Sequence, residues 1–101
     1  MFIAMNRFKI VRGHEETFLE HWKNRTSYLG EAPGFLRFHL LRGPQTDEYT
    51  LFASHAEWAS EQAFEAWTRS EAFRKAHENA AKTPREIYLG PPHLETFEVL
   101  L

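Results

Sequence analysis

The order of its strand-like and helix-like segments is the feature that most restricts how this chain can fold. Four segments carry the alternation, or the β-branched and aromatic residues, that are typical of strands, and two segments carry helical apolar periodicity. Strands are predicted at 2–11, 35–42, 48–54 and 93–101, and helices at 14–29 and from about residue 54 onward. This β-α-β-β-α-β order is that of a ferredoxin-like α+β fold, a four-stranded antiparallel sheet with helices on one face. We expect a second copy of the chain to cover the other face.

Two cap patterns mark the second helical segment. Ser54-His55-Ala56-Glu57 matches the capping box, in which a serine is followed three residues later by a glutamate, and it predicts a helix start there. Ser70 followed by Glu71 predicts a second start after a break or kink at Thr68-Arg69.

Composition excludes several classes of function. A net charge of −2 leaves no basic excess to neutralise a phosphate backbone, so we expect no nucleic acid partner. The absence of cysteine excludes disulfides, thiolate catalysis and Fe–S clusters. The chain shows no secretory signal and no run near the roughly 20 apolar residues of a membrane span. We therefore expect a single cytoplasmic domain over residues 1–101, without membrane contact.

Aromatic residues are unusually frequent for so small a chain. Nine Phe, three Trp and three Tyr make up 15% of the residues. So many rings indicate either a core packed from rings or a pocket for a flat apolar ligand, and composition alone leaves both interpretations open.

Three residues conflict in type with their positions. Asn6 interrupts the apolar side of the first strand, where a buried amide must bond to protein or to a ligand. His77 lies on the apolar face of the last helix, and it is either a core histidine or a ligand. Trp67 lies at the end of the apolar face of the preceding helix. On an unbroken helix Trp67 and His77 would lie only about 80° apart, so both could line one cavity that Asn6 enters from the sheet. A buried imidazole facing an amide donor across a slot suits a flat ligand with a central metal, such as haem.

Several stretches of the sequence resemble one family. The chain is similar to the IsdG-type haem-degrading monooxygenases, within the antibiotic biosynthesis monooxygenase superfamily of dimeric α+β barrels. The matching stretches are Asn6-Arg7-Phe8, Pro33-Gly34-Phe35-Leu36, Ser60 to Trp67, and Phe73-Arg74-Lys75-Ala76-His77. The joint presence of Asn6, Trp67 and His77 is the specific part of the resemblance.

The resemblance implies a role for each of these residues. His77 would be the proximal haem ligand, Asn6 would donate a hydrogen bond on the distal side, and Trp67 would press on the porphyrin and ruffle it. Arg25 and Trp22 would correspond to a propionate-binding arginine and a pocket aromatic. It further implies a homodimer, O2 as oxidant, and an external electron donor, which we expect to be a redox partner protein. Haem would be both substrate and cofactor.

Two other functions remain open at the level of sequence. One is a cofactor-independent monooxygenase of aromatic polyketides or quinols, for which His77 would be dispensable. The other is a haem-binding or trafficking protein that performs no turnover. Both functions are compatible with the same fold. They differ from haem degradation because neither consumes haem in the presence of oxygen and reductant.

Overall fold

The sheet contains the four strands expected from the sequence. The structure, a computed structural model, describes residues 1–23, 29–80 and 84–101. Its strands are β1 (Phe2–Val11), β2 (Phe35–Gln45), β3 (Tyr49–Trp58) and β4 (His93–Glu98). Its α-helices are α1 (Glu15–Lys23), α2 (Glu61–Thr68) and α3 (Glu71–Ala80), with short 3-10 turns at Leu29–Glu31 and Arg85–Ile87.

The strands pair in the order β2-β3-β1-β4, and every pairing is antiparallel. The central strand β1 therefore has a neighbour on both sides, β3 and β4. The element order is β-α-β-β-α-α-β, which confirms the predicted ferredoxin-like α+β fold with its second helical segment divided in two. No helix within the described residues is long and apolar enough to span a membrane.

The capping-box prediction at Ser54–Glu57 is wrong, because these residues belong to β3. Each pairs with a residue of β1, from Asn6 opposite Ser54 to Ile3 opposite Glu57. A strand bonded on both sides satisfies far more backbone groups than one local cap, so sheet pairing overrides the cap signal. The helix instead begins at Glu61, where the Oγ of Ser60 accepts a hydrogen bond from the backbone N–H of Ala63 at 3.1 Å.

The other boundaries differ less from expectation. The predicted break at Thr68-Arg69 is confirmed, and Ser70 caps α3 by accepting from the backbone N–H of Phe73 at 3.1 Å. The last strand ends at Glu98, before its predicted end at residue 101. The first helix is described from Glu15 to Lys23, and residues 24–28 of its predicted span lie outside the described residues. Leu29, its predicted last residue, begins a 3-10 turn.

The helices cover one face of the sheet through two separate groups of apolar residues. Both groups use even-numbered residues of β1, since side chains of a strand alternate between its faces. The group beneath α1, here called the α1 cluster, consists of Phe8, Ile10, Phe18, Phe52 and Ile87. The group beneath α2, here called the α2 cluster, consists of Phe2, Ala4 and Trp58, with half-buried residues such as Phe64 and Trp67 around it.

Candidate functional site

Asn6 lies at the midpoint of β1, on the helix-facing side and between the two clusters. Its Cα partners are Ser54 on β3 and Leu94 on β4. The side-chain Oδ1 is buried and has no hydrogen-bond partner among the described residues. An unsatisfied buried polar group of this kind costs about 1–3 kcal/mol. A polar atom kept at such a cost in the middle of an apolar face is a candidate contact for a ligand.

On its own strand and towards β3, Asn6 is flanked by small side chains. Ala4 precedes it on the same face of β1, and Ser54 and Ala56 lie opposite on β3. Asn6, Ser54 and Ala56 are only half-buried although they lie on interior strands of the sheet. We call these four residues the central strip. Aromatic cross-strand pairs bound the strip at both ends: Phe2 with Trp58, and Phe8 with Phe52.

Trp67 connects the α2 cluster to α3. Its ring lies 6.1 Å from that of Trp58, measured between centroids, and 5.8 Å from that of Phe73, which it meets edge-on at 90°. Trp58 is 1% exposed, and its indole Nε1 is buried without a partner among the described residues. Trp67 itself is half-buried. One side of the Trp67 ring is therefore packed against a buried residue, and the other side is accessible.

His77 is exposed, so the expectation of a buried imidazole is wrong. The packed side of α3 is centred on Ala76, which is 5% exposed. The next residue along an α-helix is turned by about 100°, which takes His77 off the packed side. The break between α2 and α3 also removes the unbroken helix on which the predicted angle between Trp67 and His77 depended.

The exposed ring of His77 is nevertheless held in one orientation. Its Nδ1 lies 3.0 Å from the carbonyl oxygen of Phe73, and the two rings stack at 3.9 Å between centroids with a tilt of 36°. A carbonyl oxygen can only accept, so Nδ1 carries the proton of this hydrogen bond. In the neutral imidazole Nε2 then has a free lone pair, the form in which histidine binds a metal.

An open cavity of about 630 Å³ lies along the corner between α2 and α3. It is open to solvent over most of its surface, so it is a shallow groove and not the enclosed cleft that buries most of a small ligand. Arg74 is held at this cavity by ion pairs with Glu71 and Glu78. They raise the pKa of Arg74, and the hydrogen bond that Arg74 donates to the Glu71 carboxylate has the largest effect. The cavity is lined mainly by Thr68, Arg69, Ser70, Phe73, Arg74 and His77.

The structure brings together only part of the predicted set. Trp67, Phe73 and His77 form one continuous series of ring contacts. Asn6 is not among the residues that line the cavity beside His77. It lies on the sheet, in the central strip, and a ligand touching both would have to extend from the corner of the helices over that strip.

Of the predicted residues Trp22 and Arg25, only Trp22 lies in the described part of the chain. Trp22 is half-buried on α1, where it stacks on Phe38 at 5.6 Å with a tilt of 22° and meets Phe8 edge-on at 6.1 Å. These contacts place Trp22 at the margin of the α1 cluster. Arg25 lies outside the described residues.

Sequence reasoning missed two contributions to this site. The first is the small residues of β3 in the central strip: the predicted strand stops at Ser54, and Ala56 falls in the helix that the cap pattern predicts. The second is the carbonyl of Phe73. The four-residue spacing places the His77 side chain near it, but the hydrogen bond itself depends on side-chain rotation.

Comparison with known proteins agrees with this fold. Residues 1–79 match the antibiotic biosynthesis monooxygenase family, and the chain therefore belongs to this family of monooxygenases. The heme-degrading monooxygenase of Bacillus cereus (strain B4264) is 30% identical over 87 residues, which cover 86% of this chain and 80% of that protein. The resemblance to the haem-degrading members of the superfamily is thus confirmed.

Two solved structures illustrate the range of the fold. MhuD from Mycobacterium tuberculosis, a heme-degrader with two hemes bound in its active site, is 26% identical. The TM-score is 0.74, and the match covers 100% of this chain and 97% of MhuD. SnoaB from Streptomyces nogalater, a cofactor-independent oxygenase, is 17% identical with a TM-score of 0.63 over 99% of this chain and 94% of SnoaB. At that identity the likeness to SnoaB shows the fold alone.

Proposed function

We propose that this chain is a haem-degrading monooxygenase that binds haem through His77 and opens the porphyrin at a meso carbon. O2 is the oxidant, an external reductant supplies the electrons, and iron is released with the opened ring. The observation that carries this proposal is the state of His77, whose Nδ1 is bonded to a backbone carbonyl while its ring lines an open cavity. The haem-degrading relatives from Bacillus and Mycobacterium support it.

The described residues fit haem in the chemistry of their side chains. His77 would hold the iron through Nε2, and its second nitrogen has the backbone hydrogen bond that usually orients a metal-bound histidine. Haem, when bound, supplies the iron at which O2 is activated and the carbon skeleton that is oxidised. The rings of Phe73 and Trp67 supply apolar surface beside the imidazole.

Asn6 acts as the polar group in an otherwise apolar floor. Rotation of its amide presents either Oδ1 or the Nδ2 donor at the same place, so the position that is now unsatisfied can donate to a ligand oxygen. A fixed donor there stabilises negative charge where it develops. We assign it to the distal side, where it would influence which meso carbon reacts.

Trp67, Trp22 and Arg25 complete the proposed site. Trp67 is anchored on Trp58, so it can press on a flat ligand without yielding. Such pressure distorts the macrocycle, one of the means by which proteins tune haem. Trp22 would form a wall of the pocket, and Arg25 would pair with a propionate.

The proposed enzyme is a cytoplasmic homodimer that receives electrons from a redox partner protein. The sheet face opposite the helices carries apolar residues that are incompletely covered, among them Leu41 at 41% and Phe97 at 48% exposed. An antiparallel sheet can leave one face in water, but exposed apolar residues on that face favour a cover. A second copy of the chain would supply it, and light scattering should then give twice the mass of one chain.

The experiment that tests the function is turnover of bound haem. Purified protein loaded with haemin is mixed with ascorbate in air, in the presence of catalase and a ferrous chelator. The Soret band should bleach, the chelator should report released iron, and mass spectrometry should find a ring-opened tetrapyrrole with added oxygen. The same mixture without O2 is the control and should stay unchanged.

The two alternative functions give different outcomes. A haem-binding or trafficking protein would keep its Soret band, and the chelator would find no iron. A cofactor-independent monooxygenase would consume O2 with an aromatic quinol in metal-free buffer, and His77→Ala would retain that activity. Either result would overturn haem degradation.

A further inference from the structure

We infer that Phe73 is a positioning residue for His77, holding the imidazole in the tautomer and plane that present Nε2 to a metal. The inference rests on the proposed function, and it assigns to Phe73 a role that goes beyond filling the core. Two separate contacts connect the residues, one through the backbone of Phe73 and one through its ring.

The backbone contact fixes the tautomer. The carbonyl oxygen of Phe73 accepts from Nδ1 of His77 at 3.0 Å. Proton exchange to the other tautomer would place the lone pair of Nδ1 against that oxygen and remove the hydrogen bond. Tautomer selection through the second ring nitrogen also raises the basicity of a metal-binding imidazole.

The ring contact fixes the plane. The Phe73 and His77 rings are 3.9 Å apart at a tilt of 36°, which limits rotation of the imidazole about its Cβ–Cγ bond. His77 is exposed, so other restraint on that rotation is weak on its solvent side. Without the phenyl ring the imidazole would sample more orientations, and binding a metal would then require ordering it.

The phenyl ring is itself held by a buried anchor. Trp67 meets it edge-on at 5.8 Å, and Trp67 packs on Trp58, which is 1% exposed. A series of rings thus runs from the sheet to the exposed imidazole. Phe73 is the member of the series that touches His77.

The test uses free imidazole as the probe, bound to the haem of variants that lack the histidine side chain. His77→Gly leaves space in which imidazole can reach the iron while the Phe73 ring remains. Its affinity for imidazole is compared with that of the double variant His77→Gly/Phe73→Leu, by titration of the Soret band. If the phenyl ring orients an imidazole, the double variant should bind imidazole on the order of tenfold more weakly, the low end for loss of a supporting group at a metal site.

A matched control separates positioning from general damage to packing. Phe64 borders the α2 cluster and packs on Phe2 and Trp58, and its ring does not contact the imidazole. His77→Gly/Phe64→Leu should therefore bind imidazole as tightly as His77→Gly. Equal affinity in all three variants would overturn the inference, and so would equal weakening by both leucine substitutions.

The intact chain distinguishes this inference from the proposed function. With His77 present, Phe73→Leu should still bind haem through the histidine. In the ferric cyanide complex its low-spin electron paramagnetic resonance lines should be broader than those of the wild type, which would reflect several imidazole orientations. Failure of the wild-type chain to ligate haem through His77 would refute the proposed function. Normal ligation with unchanged lines in Phe73→Leu would refute the positioning role alone.

Discussion

The two apolar clusters differ in how completely they are closed. All five residues of the α1 cluster are at most 7% exposed, and Phe18 and Ile10 are fully buried. The α2 cluster has three buried members and a larger set of half-buried ones, including Trp67. The two polar atoms that are buried without a partner in the described residues belong to Asn6 and Trp58, beside or within the α2 cluster. The five residues of the α1 cluster are therefore closed to solvent, as in an ordinary hydrophobic core. The α2 end keeps accessible rings and unsatisfied polar groups, as a binding site does.

The largest effect on stability is expected in the α1 cluster. Phe18→Ala removes a ring that is 0% exposed and contacts those of Phe8 and Phe52, so it should lower the free energy of unfolding by about 3–5 kcal/mol. Urea denaturation measures the loss, and the milder Phe18→Leu serves if the alanine variant does not fold. Haemin affinity of the folded protein should fall less than in Trp67→Ala, because among the described residues Phe18 meets the proposed site only through its contact with Trp22. A larger fall than in Trp67→Ala would contradict the division into core and site.

The opposite pattern is expected at Trp67. Because this ring is half-buried, Trp67→Ala should reduce stability by roughly 1–3 kcal/mol, less than full burial would give. It should also lower haemin affinity and reduce the ruffling seen by resonance Raman spectroscopy. A stability loss as large as that of Phe18→Ala, with unaltered haem spectra, would make Trp67 a core residue.

The smallest effect concerns a polar contact at the α1 end. The Oγ1 of Thr50, a fully buried residue, donates to Oε2 of Glu15 at 2.7 Å, and this hydrogen bond is the main reason that the pKa of Glu15 lies below its ordinary value of 4.5. A carboxyl with a lowered pKa stabilises the fold above its ordinary pKa, and the contribution is lost as pH falls through the lowered value. Thr50→Val should therefore cost about 1 kcal/mol at neutral pH and progressively less in acid.

A control variant exists for this pH dependence. Thr17→Val removes a hydroxyl from the exposed side of α1. Its stability difference from the wild type should not change with pH in urea denaturation between neutral and acid conditions. A parallel pH profile for Thr50→Val and Thr17→Val would show that the Glu15 contact contributes nothing.

Sequence patterns predicted the fold well because the sheet follows from local alternation. The limits of β1 are as expected, and the break before Ser70 was visible in the cap residues. The error at Ser54–Glu57 arose because a short cap motif cannot compete with pairing to a distant strand, and such pairing is not visible from local sequence.

The site was less predictable than the fold. The position of Asn6 on the helix-facing side followed from the alternation of β1 and holds in the structure. The exposure of His77 could not be foreseen, because it depends on which side of α3 packs and on the corner between α2 and α3. The pairing of its Nδ1 with the Phe73 carbonyl is a matter of side-chain rotation, which residue type alone does not fix.

The central claim is that the exposed imidazole of His77 is the iron ligand. Anaerobic titration of ferric haemin into the wild type and into His77→Ala tests it most directly, with the Soret band and electron paramagnetic resonance as readouts. The account predicts a saturable histidine-ligated spectrum at micromolar haemin for the wild type, and its loss in His77→Ala with folding retained. Identical spectra and affinities for the two proteins would contradict it.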